Sequence, residues 1–151
     1  LGFQGKNTNL IHPGRGSFFF ISVLLLSVEL EPTRPERDRC GSCRLCIDAC
    51  PTSALSEYKL DAQKCISYLT IESKEPTDPV TRAGWSFGCD ICQDVCPYNR
   101  SQSIAANWFP PRAEISSLME SGVIKDWEEL SRESPLSRVS EDKFRNNLET
   151  V

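Results

Sequence analysis

Eight cysteines fall within residues 40–96 of this 151-residue chain, and their spacing is the first feature that could do chemistry. The first group reads Cys40-Gly-Ser-Cys43-Arg-Leu-Cys46-Ile-Asp-Ala-Cys50-Pro51. Three thiolates spaced this closely can meet three irons on one face of a cubane cluster, while a fourth, followed by proline, reaches a second cluster. Gly41 eases the tight loop. Pro51 suits a first helical turn, where a missing N–H leaves nothing unpaired, so the fourth cysteine is expected at the start of a helix.

The second group, Cys89-Asp-Ile-Cys92-Gln-Asp-Val-Cys96-Pro97, lacks one cysteine of the same run. Cys65, set apart by residues 66–88, is the candidate for the missing ligand. With the fourth cysteine of each run exchanged to the other cluster, Cys40, Cys43, Cys46 and Cys96 hold one [4Fe–4S] cluster. Cys65, Cys89, Cys92 and Cys50 hold the other, and every cysteine in the chain is used. Zinc fits less well, because its four-cysteine sites use separated C-x2-C pairs. A disulfide framework would need an oxidising compartment, and no secretory signal supports one. Two iron–sulfur clusters in a cytoplasmic protein are therefore expected.

The surrounding chain must position these ligands. At 39% apolar and 25% charged residues it has a globular composition, and its net charge of -4 does not advertise a nucleic-acid partner. Residues 1 to about 31 carry Gly2, Gly5, Gly14 and Gly16 around short apolar stretches, which reads as loop, strand, tight turn over Pro13–Gly16 and a buried strand or short core helix over Ser17–Val28. That last run has about a dozen apolar residues, too few for the ~20 of a spanning helix. Glu29 and Glu31 also follow where a signal peptide has its small-residue cleavage site, so no membrane association is expected.

The Pro-rich, charged stretch 31–39 reads as an exposed connection. Thr52-Ser-Ala-Leu55 has the character of a helix start, and Cys65-Ile-Ser-Tyr-Leu-Thr-Ile71, β-branched and aromatic, that of a strand. Beyond Arg100, Ile115, Leu118, Met119, Val123, Trp127 and Leu130 recur at roughly helical spacing. The fold class expected is α+β: a ferredoxin-like double [4Fe–4S] domain over 40–100, preceded by a partial α/β segment over 1–39 and followed by helices over 101–151. Opening at Leu1 without an initiating Met, the chain reads as part of a longer protein.

The sequence around the cysteines resembles the epoxyqueuosine reductases, cobalamin-dependent enzymes of tRNA modification. The resemblance lies in Gly2-Phe-Gln-Gly-Lys-Asn-Thr-Asn-Leu-Ile-His-Pro-Gly-Arg-Gly-Ser17, Leu30-Glu-Pro32, Cys50-Pro-Thr-Ser-Ala-Leu55, Leu60-Asp-Ala-Gln-Lys-Cys-Ile-Ser-Tyr-Leu-Thr-Ile-Glu72 and Phe87-Gly-Cys-Asp-Ile-Cys-Gln-Asp-Val-Cys-Pro-Tyr-Asn-Arg100. A weaker likeness, Ser134-Pro-Leu-Ser-Arg138 with Arg145-Asn-Asn-Leu148, falls where that family enters its C-terminal helical repeats. The chain departs from the family at Gly84-Trp85-Ser86, where Gly-Asn-Arg is usual.

The resemblance implies reduction of epoxyqueuosine to queuosine in the anticodon loop of tRNA, with the clusters passing electrons to a cobalamin bound mainly by an N-terminal domain. That domain also carries the acidic proton donor, so this part alone is expected to be inactive. An external electron donor and a monomeric state are expected. Lys6 and Asn7, in a Gly-flanked polar loop, and Ser67, Tyr68 and Thr70, directly after a cluster ligand, are the candidates for cofactor contact. Lys74, Arg82 and Arg100 flank the cluster loops and are the candidates for phosphate contact. Trp85, Trp108 and Trp127 are expected in the core rather than on bases, and His12, the sole histidine, in a turn. Asp48, Asp90 and Asp94 read as helix or loop carboxylates near the clusters, with no general-acid role expected. The cysteine pattern alone also suits a stand-alone electron carrier or a reductive-dehalogenase-like cobalamin enzyme.

Overall fold

The cysteine runs fold into short turns with little regular structure between them. The computed structural model describes residues 1–100 and 113–148. Along the chain come β1 (Phe3–Gln4), β2 (Leu10–Ile11), α1 (Leu45–Asp48), β3 (Leu55–Ser56), β4 (Lys59–Leu60), α2 (Pro79–Arg82), α3 (Ile91–Asp94), α4 (Ala113–Ser121), α5 (Trp127–Ser131) and α6 (Glu141–Leu148). The strands form two antiparallel hairpins, β1–β2 and β3–β4. The α+β mixture is thus present, weighted towards helix.

The chain divides into two compact units, 1–60 with 90–104, and 61–89 with 105–151. In the first, Phe3 and Ile11 from the β1–β2 hairpin are 3% and 1% exposed and pack with the buried Cys96. Tyr98 closes on Phe3 edge to face at 5.2 Å. The turn expected at Pro13–Gly16 forms, closed by a His12–Gly16 bridge, and His12 Nδ1 accepts a hydrogen bond from the Gly14 amide. Its histidine is a turn residue.

In the second unit, Leu118, Ile124, Leu130, Leu136, Val139 and Phe144 form a core. Of the positions read at helical spacing beyond Arg100, Leu118 and Leu130 lie in this core and Ile115 and Trp127 pack against it, whereas Val123, between α4 and α5, is exposed. Trp127 packs on Phe144, its ring centre 5.5 Å away, whereas Trp108 lies outside the described residues. No described helix is long and apolar enough to cross a membrane.

Three local expectations are corrected. The run 17–28 is neither strand nor helix after Ser17: Phe20, Ile21, Val23, Leu24, Leu25, Leu26 and Val28 are all exposed. It meets no partner strand among the described residues, and a lone strand leaves its backbone groups unpaired. Thr52–Leu55 enters the β3–β4 hairpin rather than a helix, so the short helix precedes Cys50 instead of following it. The stretch after Cys65 is helical, ending in a π-helical turn over Tyr68–Glu72. Within it the Thr70 hydroxyl donates to the Ile66 carbonyl, 2.7 Å away, the i−4 bond open to a threonine in a helical turn.

Candidate metal centre

Each cysteine run builds the same device. In the first, the Cys43 amide donates to the Cys40 carbonyl at 2.9 Å, α1 carries Cys46, and Cys50 follows the helix. In the second, α3 carries Cys92, and Cys96 follows in extended conformation with Pro97 opening a 3-10 turn. α1 and α3 pack against each other within the first unit. One helical turn between a thiolate pair and a fourth cysteine swings that fourth side chain away from its own loop.

The result is a cavity of about 210 Å3 in the first unit, lined by Cys40, Cys43, Cys46 and Cys96 together with Lys6, Asn7, Ile11 and Tyr98. A single water needs only ~10–15 Å3, so the four sulfurs surround space for a body much larger than an ion. Among the described residues, no three His, Cys, Asp or Glu side chains form a single-ion site. Burial, reinforced by Cys40 and Cys43 nearby, pushes the Cys46 and Cys96 thiols up, so ligation there must displace their protons. Burial acts the same way on Cys50, but hydrogen bonds from the Thr52 hydroxyl and from backbone amides outweigh it and bring that thiol down. Of the remaining cysteines, Cys50 and Cys92 belong to the first unit and Cys65 and Cys89 to the second.

Lys6 and Asn7 turn inward. The loop between β1 and β2 is closed by the Gly5 amide on the Asn9 carbonyl and the Thr8 amide on the Gly5 carbonyl, with Thr8 at φ 67°. Lys6 is 5% exposed, and its Nζ donates to the Gly41 carbonyl at 2.8 Å and to Glu57 Oε1 at 2.9 Å. Its backbone N–H points at Cys40 Sγ, 3.4 Å away. Asn7, 4% exposed, donates from Nδ2 to the Cys92 carbonyl at 3.1 Å. Both residues therefore face the cysteine loops and present no polar tip to a cofactor outside them.

The second unit brackets its two cysteines differently. Ser67 Oγ, half-buried, donates to the Cys89 carbonyl at 3.4 Å. Thr70 is fully buried, and its Oγ1 accepts from the Gly88 amide at 3.0 Å. It ties the Cys65 helix to the Cys89 loop. Tyr68 is 38% exposed, and of the five candidates for cofactor contact it alone offers an open side chain.

The expectation of phosphate contact fails for Arg82. It is 1% exposed, and its guanidinium donates to the carbonyls of Thr77, Trp85 and Asn147 at 3.3, 3.1 and 2.7 Å. A planar donor set that fills backbone acceptors in the interior cannot reach a surface anion. Lys74 and Arg100 are exposed. Asp48, Asp90 and Asp94 are exposed as well.

Two positioning asparagines were not singled out by sequence. Asn99, 8% exposed, accepts from the Ser17 amide at 2.7 Å and donates to Ser17 Oγ and the Gln93 carbonyl, fastening the Cys92–Cys96 turn to the first hairpin. Asn147 donates to the carbonyls of Thr70 and Ser86 at 3.0 and 2.9 Å, holding both cysteine segments of its unit. A signal did exist for Asn147, a polar residue on the helical face it shares with Phe144 and Leu148.

A 4Fe-4S double cluster binding domain matches residues 39–99. The chain therefore carries a domain of the double-cluster iron–sulfur class. Over 137 residues it is 45% identical to the epoxyqueuosine reductase of Leadbetterella byssophila, covering 88% of this chain and 43% of the relative. The epoxyqueuosine reductase of Cyclobacterium marinum is 41% identical, covering all of this chain and 51% of the relative. A crystal structure of epoxyqueuosine reductase with a tRNA-Tyr epoxyqueuosine-modified tRNA stem loop superposes with a TM-score of 0.68 at 27% identity, over 97% of this chain and 41% of that one. The chain is thus similar over nearly its whole length to epoxyqueuosine reductases, with the double-cluster domain inside the matched part. It spans about half the length of these relatives.

Proposed function

We propose that this chain is the electron-delivering part of an epoxyqueuosine reductase. The observation that carries the reading is the cavity on which Cys40, Cys43, Cys46 and Cys96 meet, the set expected when two runs exchange their fourth ligand. In a ferredoxin-like arrangement over 40–100, these four thiolates hold one [4Fe–4S] cluster, and Cys65, Cys89, Cys92 and Cys50 hold the other. Residues 1–39 complete a cofactor-binding domain, and 101–151 lead into helical repeats.

Two one-electron carriers suit the reaction, because removing an epoxide oxygen as water consumes two electrons and two protons. Cobalamin, held mainly by the rest of the full-length protein, would supply the reducing metal for that step. This chain's own residues keep the thiolates in register and shield the first cluster with Ile11, Tyr98 and the Lys6 stem. Ser67 and Tyr68, adjoining the ligand Cys65, face the acceptor. Exposed Lys74 and Arg100 grip phosphates of the tRNA. An external low-potential protein provides the electrons, and the enzyme works as a cytoplasmic monomer.

The test is queuosine formation in epoxyqueuosine-bearing tRNA by the full-length protein, supplied with cobalamin and a chemical reductant. Queuosine is the expected product. Halide release from organohalides without queuosine would point to a dehalogenase, and neither product would leave an electron carrier; both outcomes reject the proposal.

A further inference from the structure

Lys6 is a buried cation whose charge the proposed reaction leaves without a task. Lys6 lines the four-cysteine cavity with its side chain 6% exposed, and its ammonium lies 2.8 Å from the Gly41 carbonyl in the loop between Cys40 and Cys43. Its position is fixed along the backbone as well: its N–H donates to Cys40 Sγ at 3.4 Å, and its carbonyl accepts from the Tyr58 amide at 3.3 Å. The counter-ion is Glu57, whose side chain is 48% exposed and also lies 3.6 Å from Arg44. The pair is asymmetric. The positive charge is on a buried side chain held against the loop between Cys40 and Cys43, and the negative charge is on a half-exposed one, where solvent screens it.

We propose that Lys6 sets the reduction potential of the cluster held by Cys40, Cys43, Cys46 and Cys96, raising it relative to the other cluster so that the two form an ordered electron path. This rests on the cluster reading above. One electron from a low-potential one-electron donor adds one negative charge to a thiolate-ligated core that is already anionic. A desolvated cation and an N–H aimed at a ligand sulfur both stabilise that extra charge, and hydrogen bonds to sulfur, net charge and exposure set such potentials. Holding a lysine inside costs desolvation free energy, and that cost is repaid each time the cluster is reduced.

The experiment is an anaerobic redox titration of the reconstituted full-length protein, followed by electron paramagnetic resonance. Lys6→Met keeps the stem and the backbone N–H but removes the charge. One of the two waves is expected to move to more negative potential, with at least a tenfold fall in the reduced-to-oxidised ratio at fixed potential, about 59 mV for a one-electron couple. Glu57→Gln, at an exposed position, removes the counter-charge, and the same wave is expected to rise by a smaller amount. A purely structural lysine would not give shifts of opposite sign. An unmoved wave in Lys6→Met at full iron content, or equal movement of both waves, overturns the proposal. If Lys6→Met fails to hold iron, Glu57→Gln decides alone: a rise supports the proposal, and a fall or no change overturns it. Wild-type protein with well under about eight irons per chain would instead sink the double-cluster reading itself.

Discussion

At the scale of single residues, the environment of the cysteines is built as much from oxygen and nitrogen as from sulfur. Tyr58 Oη donates to Asp38 Oδ2 at 2.6 Å, and Asp38 Oδ1 accepts from the Cys40 amide at 2.9 Å, so the first ligand is held by a carboxylate that a phenol holds in turn. That hydrogen bond raises the Tyr58 phenol to about 12 and draws the Asp38 carboxyl below its ordinary 3.8. The signs give a window. The phenol's contribution is complete below its ordinary 10.0 and is lost as pH rises through about 12. The carboxylate's contribution is present above 3.8 and is lost as pH falls through its lowered value. The tie is thus intact across the neutral range. In an ultraviolet titration of tyrosinate, one of the three tyrosines is expected to ionise late, and Asp38→Asn should bring it back among the others. A single unshifted transition in the parent protein would contradict the contact. The cysteine pattern itself is legible in sequence because its short spacings keep the thiolates of one run within reach of one another. The inward turn of Lys6 is not legible, because a polar loop between two strands reads the same whether it faces water or sulfur.

Among the elements, short turns do the positioning and depend on close approach. Gly16 lies at φ 69°, and a methyl group there would come 1.9 Å from Asn99 Oδ1. Gly16→Ala must therefore strain the backbone and break the Ser17–Asn99–Gln93 tie that holds α3 and Cys96. A loss of roughly 2 kcal/mol or more is expected, read as a lower denaturant midpoint and faster cluster loss than in Gly14→Ala, where the nearest atom is 3.8 Å away. Equal behaviour of the two variants would contradict this role for Asn99. The helices beyond 113 were legible because their apolar spacing is long enough to count. The strand read after Cys65 and the helix read after Pro51 were not, since stretches of four to seven residues follow tertiary hydrogen bonds rather than propensity. The Arg82–Asn147 and Asn147–Thr70 contacts join positions far apart in the chain, beyond any local pattern.

For the whole molecule, the proposed function makes the cysteine domain the wiring of a larger reductase, in which two clusters would be fed from outside and emptied towards a cobalamin. The ligand exchange gives that claim its sharpest form, because it assigns Cys96, late in the chain, to the cluster of Cys40, Cys43 and Cys46. The most direct test is Cys96→Ser in the full-length protein, reconstituted anaerobically with iron, sulfide and cobalamin and assayed for queuosine in tRNA. The account predicts about four irons in place of about eight, loss of the redox wave that Lys6→Met shifts, retained cobalamin, and no queuosine. Full iron content with queuosine formed at the parent rate would contradict it.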